Sequence, residues 1–241
     1  MKLQQLLSYT RKAVDTYHMI DEGDKIAIGV SGGKDSLALM YALKGLQRFY
    51  PKKFEIEAIT VALGFEAFDL SKVIDLCKEL DIHYTVVHTD IAEIIFEERK
   101  EKNPCSLCSK MRKGALNEKA VELGCNKIAL GHHKEDIVET MMMSLFFEGR
   151  FYTFSPVTYL DRMELYAIRP LMFVSEKDVI GFKNKYHLPV VKSPCPADGH
   201  TKREYMKNLL ADLERDNPGL SQRLYRAIEG SQIKGWTTDT C

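Results

Sequence analysis

The sequence predicts an α/β protein: a doubly wound, mainly parallel sheet carrying helical N- and C-terminal extensions. Three observations carry the prediction. Short strand-like runs alternate with segments of three- and four-residue apolar spacing, an order that argues for a parallel sheet covered on both faces. The hexapeptide Ser31-Gly32-Gly33-Lys34-Asp35-Ser36 sits between an apolar run and a helical pattern, the place of a phosphate-binding turn. After residue 174 the pattern is helical throughout.

The elements follow in order. Residues 1–24 read as an N-terminal helical segment and 25–174 as a nucleotide-binding core. Lys25 to Val30 is a buried strand, and Leu37, Met40, Leu43 and Leu46 mark one face of the next helix. Further strands are expected at Phe54 to Val61, His83 to His88, Lys127 to Leu130 and Glu164 to Ile168. Helices are expected near Leu70 to Leu80, Met111 to Leu123 and Ile137 to Phe147. Ser175-Glu176-Lys177-Asp178 reads as a capped helix start and opens a C-terminal helical extension over 175–235, punctuated by Asn217-Pro218-Gly219. Residues 236–241 read as a loose tail. With no repeat or Gly/Ser linker, a nucleotide core with extensions fits better than two independent domains.

The hexapeptide carries the strongest chemical signal. Adjacent glycines allow backbone conformations and close approaches that a Cβ blocks, and the N–H groups opening a helix attract an anion. Lys34 adds a full charge, Ser31 and Ser36 offer hydroxyl donors, and Asp35 suits Mg²⁺, which prefers oxygen ligands. Two familiar phosphate loops fail on spacing: one would need Gly at Ile28 and Ser or Thr at Asp35, the dinucleotide fingerprint Gly at Ser31. The plain alternative is a glycine-rich turn.

At 241 residues and 45% hydrophobic content the chain is long enough for a packed core. Its net charge of zero argues against a uniformly basic nucleic-acid binder, yet charge is uneven. Arg99, Lys100, Lys102, Lys110, Arg112 and Lys113 form one basic run, and Lys183, Lys185, Lys192, Lys202, Arg203 and Lys207 another; each flanks cysteines, and each also suits an ordinary solvated face. No apolar run reaches membrane-spanning length and the N-terminus is no secretory signal, so a cytoplasmic setting is expected. There the six cysteines are ligands, reactive thiols or core residues rather than disulfide partners.

Cys105 and Cys108, in Asn103-Pro104-Cys105-Ser106-Leu107-Cys108, are spaced to share one metal centre. A helix N-terminus and nearby Lys110 and Arg112 are expected to lower their pKa values. Half a zinc site, a redox dithiol and half an iron–sulfur site all remain open. Cys195, between Pro194 and Pro196, belongs to a stiffened loop. A tetrahedral zinc site would need a fourth ligand, His200 or Asp198, whereas a four-iron cluster on three cysteines leaves one iron open. Cys77 and Cys125 read as small buried hydrophobes, and Met141, Met142 and Met143 as core packing.

The six letters of the loop resemble the PP-loop of the ATP pyrophosphatases. The ordered set of that loop, Cys105-Ser106-Leu107-Cys108, Leu130-Gly131-His132-His133-Lys134-Glu135-Asp136, Arg169-Pro170-Leu171 and Cys195 resembles the TtcA-type tRNA thiolation enzymes over most of the chain. The resemblance implies the PP-loop ATPase sheet, Mg²⁺ and ATP, a [4Fe-4S] cluster on Cys105, Cys108 and Cys195, a tRNA substrate, a cysteine desulfurase as sulfur source and a homodimer. It places Gly131, His132 and Asp136 near ATP or Mg²⁺, where the bare residues suggest a solvated helix start.

The implied chemistry begins by activating a pyrimidine carbonyl oxygen, a poor leaving group. ATP adenylates the C2 oxygen of a cytidine in the anticodon loop, pyrophosphate leaves into the PP-loop beside Lys34, and sulfide or a persulfide on Cys105 or Cys108 expels AMP. Tyr205, Lys202, Arg203 and Lys207 are candidates for contacting the RNA. The alternatives are an RNA-adenylating ligase of the lysidine-synthetase kind without sulfur chemistry, a non-catalytic nucleotide-binding module, and a zinc-stabilised nucleotide- or RNA-binding protein.

Overall fold

The computed structural model describes residues 1–65, 68–101, 104–192, 194–196 and 201–236. Helix α1 (Leu3–Thr16) leads into β1 (Asp24–Gly29), α2 (Lys34–Gln47), β2 (Phe54–Ala62), α3 (Ser71–Glu79) and β3 (His83–His88). A short α4 (Ile91–Glu93) runs into a π-helical turn at Ile94–Glu98, followed by α5 (Pro104–Glu122), β4 (Lys127–Ala129) and α6 (Lys134–Glu148). Strands β5 (Val157–Leu160) and β6 (Leu165–Ile168) close the sheet, and α7 (Glu176–Tyr186), α8 (Lys202–Asp216) and α9 (Leu220–Glu229) complete the described chain.

The strands lie in the order β3-β2-β1-β4-β6-β5, parallel except for the antiparallel edge strand β5. The centre of strand β1 is apolar because both its faces are covered: Ile26, Ala27 and Ile28 are fully buried. Helix α2 packs Leu37, Leu39, Met40, Leu43 and Leu46 into the same core. The chain winds one way from β1 to β2 and the other way to β4, and Ile28 pairs with Ala129 across them. The loops after β1 and β4 therefore leave the sheet at one level, at the topological switch point where ligands bind in such folds.

The sequence misses β5, a four-residue strand with a neighbour on one side only. Glu164, expected to open the strand before Ile168, instead sits in the turn between β5 and β6 with φ +51°. The two cysteines spaced three apart do not precede their helix but lie in its first turns, because Pro104 starts α5 ahead of the Met111 pattern. The short α4 and the π-helical turn also escape the sequence; their Ile91 and Ile95 are buried beside Val61, with Leu107, Cys108 and Met111 packed against them. Cys77 and Cys125 are buried as expected. Among the described residues no helix is long and apolar enough to cross a membrane.

Trp236, assigned by composition to a loose tail, is only 2% exposed. Tyr17 and Tyr225 meet its ring edge-on at 6.2 and 6.1 Å, and its indole N–H donates to Phe154 O at 3.0 Å. It ties the C-terminal segment to α1 and α9. Residues 237–241, Cys241 included, lie outside the described residues. Replacing Trp236 with alanine is expected to destabilise the fold by about 3 kcal/mol, the usual cost of deleting a buried large aromatic; urea unfolding of the two proteins checks this.

Candidate functional site

The PP-loop hexapeptide turns sharply between β1 and α2. Thr60 Oγ1 donates to Val30 O at 2.7 Å, fixing the end of β1. Gly32 has φ +78°, and a Cβ there would lie 3.0 Å from Val191 Cβ, so both its dihedral and its surroundings favour glycine. Gly33 caps α2. Ser36 Oγ accepts from Ser31 N–H at 3.2 Å and donates to Gly33 O at 2.9 Å. The hydroxyls expected to face phosphate thus also shape their own turn.

Lys34 Nζ lies 2.9 Å from Asp35 Oδ2 and 3.2 Å from Glu176 Oε1. Burial disfavours its charge, but the two carboxylates outweigh that and raise its pKa. Glu176 starts α7, is far from Lys34 in sequence, and also receives Lys207 at 2.7 Å. Sequence reasoning recognised it only as part of a helix start; an acidic residue just beyond the N-cap Ser175 is too common to mark a site.

The loop after β4 closes against this turn. A Cβ on Gly131 would come within 3.0 Å of Asp35 C and O, so glycine permits the two loops to touch. His132 stacks on Phe154 with ring centroids 4.3 Å apart. Burial, reinforced by Arg169, pushes its pKa down to about 3, and its buried Nδ1 has no hydrogen-bond partner among the described residues. His133, whose position after β4 suits a nucleotide or metal site although the resemblance places only Gly131, His132 and Asp136 near ATP or Mg²⁺, is 3% exposed. Its Nε2 is 3.7 Å from Asp35 Oδ1 and 3.5 Å from Asp136 Oδ2, and its Nδ1 is 3.2 Å from Glu135 Oε2. Burial opposes its charge, yet Glu135, Asp136 and Asp35 together raise its pKa.

Asp136 Oδ2 accepts from His133 N–H at 3.0 Å, so this carboxylate helps to cap α6. Its other oxygen is 3.5 Å from Arg203, which also reaches Glu139 and Thr140 at 3.1 Å. Asp35 Oδ1 is buried and has no hydrogen-bond partner among the described residues, an oxygen suited to Mg²⁺ or a water on it. Of the four residues expected to face RNA, Arg203 and Lys207 turn inward to carboxylates. Tyr205 is 59% exposed and Lys202 lies over the Phe147 ring.

Beside the loop lies a cavity of about 360 Å³, lined by Gly29, Ser31, Gly33, Leu63, Phe65 and Arg112 among others. A second cavity, about 220 Å³, shares Leu63, Phe65 and Arg112 with it and collects Cys105, Cys108 and Cys195. Three residues from two distant segments thus meet at one hollow. Burial raises the Cys108 pKa, and the neighbouring thiols add to that against the pull of Arg112, contrary to the lowered value expected from sequence. Cys108, unlike the exposed Cys105, is half-buried, and its burial outweighs the pull of Arg112. Among the described residues no three His, Cys, Asp or Glu side chains converge at the spacing of a single metal ion. Three thiols in an otherwise mostly apolar hollow with one arginine nevertheless suit an iron–sulfur cluster, which takes one thiolate per iron. Asn103, Ser193, Asp198 and His200, the last two being the expected fourth zinc ligands, and Lys102 of the first basic run lie outside the described residues.

A phosphate loop at the switch point of a parallel sheet, opening beside an apolar cavity, defines a PP-loop nucleotide-binding protein, and residues 3–214 match the family described as a PP-loop domain. The tRNA-cytidine(32) 2-sulfurtransferase of Geobacter sulfurreducens is 37% identical over 235 residues, 96% of this chain and 91% of the relative. That of Pelobacter propionicus is 39% identical over 220 residues, covering 90% and 82%. Among solved structures, the U34-tRNA thiolase NcsA of Methanococcus maripaludis with its [4Fe-4S] cluster superposes with a TM-score of 0.73 at 28% identity, over 91% of this chain and 76% of that one. The NH3-dependent NAD synthetase of Campylobacter jejuni, at 13% identity, TM-score 0.54 and coverage of 100% and 99%, shares the fold. The chain belongs to the TtcA-type tRNA-cytidine 2-sulfurtransferase family of PP-loop proteins.

The His132 shift makes stability depend on acidity. A base whose folded pKa is depressed binds fewer protons than in the unfolded chain, so stability is complete above about 6.5 and falls as pH drops toward the folded value of about 3. His132→Phe, which keeps the stack on Phe154, is expected to flatten the stability profile across that window. Urea unfolding between pH 7 and pH 4 measures it; an unchanged slope would count against a buried neutral imidazole.

Proposed function

We propose that this protein is an ATP-dependent tRNA sulfurtransferase that adenylates the C2 carbonyl of a cytidine in the anticodon loop and replaces its oxygen with sulfur. The observation that carries the proposal is the shared wall. Leu63, Phe65 and Arg112 line both the cavity beside the phosphate loop and the cavity of the three cysteines. An activated base held at that wall has the leaving phosphate on one side and the sulfur centre on the other, the proximity that a two-step displacement requires.

Gly32, Gly33 and Lys34 bind the pyrophosphate end of ATP through backbone N–H groups at the start of α2 and one ammonium. Asp35, with Gly131 against its backbone, presents an oxygen toward Mg²⁺, and His132 and Asp136 follow Gly131 in the same loop. Arg112, between the cavities, offsets the negative charge of the adenylate on one side and of the thiolates on the other. Cys105, Cys108 and Cys195 would hold a [4Fe-4S] cluster through one thiolate each. When bound, the cluster supplies the sulfide that takes the place of the C2 oxygen. The cytidine leaves its stack to reach the wall, as base-modifying enzymes require.

The same reading brings a cysteine desulfurase as sulfur source, a homodimeric assembly and a cytoplasmic setting in which the thiols stay reduced. A ligase of the lysidine-synthetase kind has no use for three cysteines around a cavity next to its nucleotide. The test is anaerobic purification with iron and acid-labile sulfide analysis, followed by assay of 2-thiocytidine in tRNA. Wild type is expected to carry about four irons and four sulfides per chain. Cys105→Ala, Cys108→Ala and Cys195→Ala each lose them together with product, whereas Lys34→Ala keeps the iron and loses product. Undiminished product in Lys34→Ala, or stoichiometric zinc in wild type, would overturn the proposal.

A further inference from the structure

Lys207 stands outside the phosphate loop, on α8, yet its ammonium reaches the same carboxylate oxygen as Lys34. Glu176 Oε1 is 2.7 Å from Lys207 Nζ and 3.2 Å from Lys34 Nζ. With Asp35, the group comprises two ammoniums and two carboxylates, partly buried together. Burial alone would favour a neutral Glu176, but the two lysines outweigh it and keep the side chain ionised. Its backbone is also held, since Glu176 N–H donates to Glu135 Oε2 at 2.8 Å and that oxygen faces His133. The carboxylate therefore has a fixed position and two cations to share.

A pyrophosphate group entering the PP-loop needs Lys34, and Glu176 competes for it. We propose that Lys207 is a positioning residue that sets the phosphate affinity of the loop by drawing Glu176 away from Lys34, without itself touching the nucleotide. The inference rests on the PP-loop reading of Lys34. One carboxylate oxygen divided between two ammoniums binds each less firmly than it would bind one, so the closer Lys207 frees Lys34 to exchange Glu176 for phosphate oxygens. Without the Lys207 charge, Glu176 pairs with Lys34 alone and its negative charge faces the incoming anion uncompensated. Through this contact the C-terminal helices act on the nucleotide loop.

The experiment is calorimetric titration of the full chain with inorganic pyrophosphate and Mg²⁺. Lys207→Met keeps the aliphatic stem and is expected to weaken binding about fivefold, the order of one partly screened unit charge acting at one remove. Lys207→Arg binds as wild type, Glu176→Gln binds more tightly, and adding Lys207→Met to Glu176→Gln costs no further affinity. Loss of the Lys207→Met effect in the Glu176→Gln background separates this arrangement from direct contact between Lys207 and phosphate and from a merely structural role, both of which keep the same loss in either background. Wild-type affinity in Lys207→Met, or an equal loss from Lys207→Met in both backgrounds, overturns the inference. Lys34→Ala distinguishes the two levels: if it binds pyrophosphate normally, the PP-loop reading falls; if it does not while Lys207→Met does, only the role of Lys207 falls.

Discussion

The functional end of the sheet depends on how closely the loop after β4 approaches the first turn of α2. Gly131 has no Cβ, and an added one would stand 3.0 Å from the Asp35 carbonyl. That contact brings His133 to 3.7 Å from Asp35, turning two separate strand ends into one site. Charge then organises what sterics bring together. Lys34 is placed between Asp35 and Glu176, His133 among three carboxylates, and Arg203 between Asp136 and Glu139. Partly buried charges are tolerated when each meets an opposite charge, and here nearly every one does.

Two microenvironments meet across a thin wall. In the phosphate loop Lys34 pairs with carboxylates, whereas both cavities are mostly apolar, with Arg112 as the charged residue in contact with both. The contrast shows in the titrating groups. Carboxylates raise the pKa values of Lys34 and His133 against burial, whereas burial holds Cys108 toward its neutral thiol. A thiol in such a hollow becomes a good ligand when a metal centre itself supplies the compensating charge.

Much of the fold was legible because it rests on local pattern. Strands β1 to β4 and β6 and helices α2, α3 and α6 were expected within a few residues, since buried parallel strands and amphipathic helices carry their periodicity in the chain itself. What escaped was short or depended on partners: β5, α4 and its π-helical turn. Trp236 belongs with them, because its surroundings read as a polar tail and only Tyr17, Tyr225 and the Phe154 carbonyl reveal a core position.

The sequence by itself determined the phosphate loop, the spacing of the cysteines and the strand–helix alternation of a mainly parallel sheet, because each is a property of neighbouring residues or of spacing. The tertiary structure alone decided which distant groups share a site. It brought Glu176 to Lys34, turned Arg203 and Lys207 inward, made His133 the centre of a carboxylate cluster, and set the cysteine cavity against the phosphate cavity. Coulomb attraction and burial act between groups close in space, and closeness in space across more than a hundred residues is fixed only when the sheet has formed.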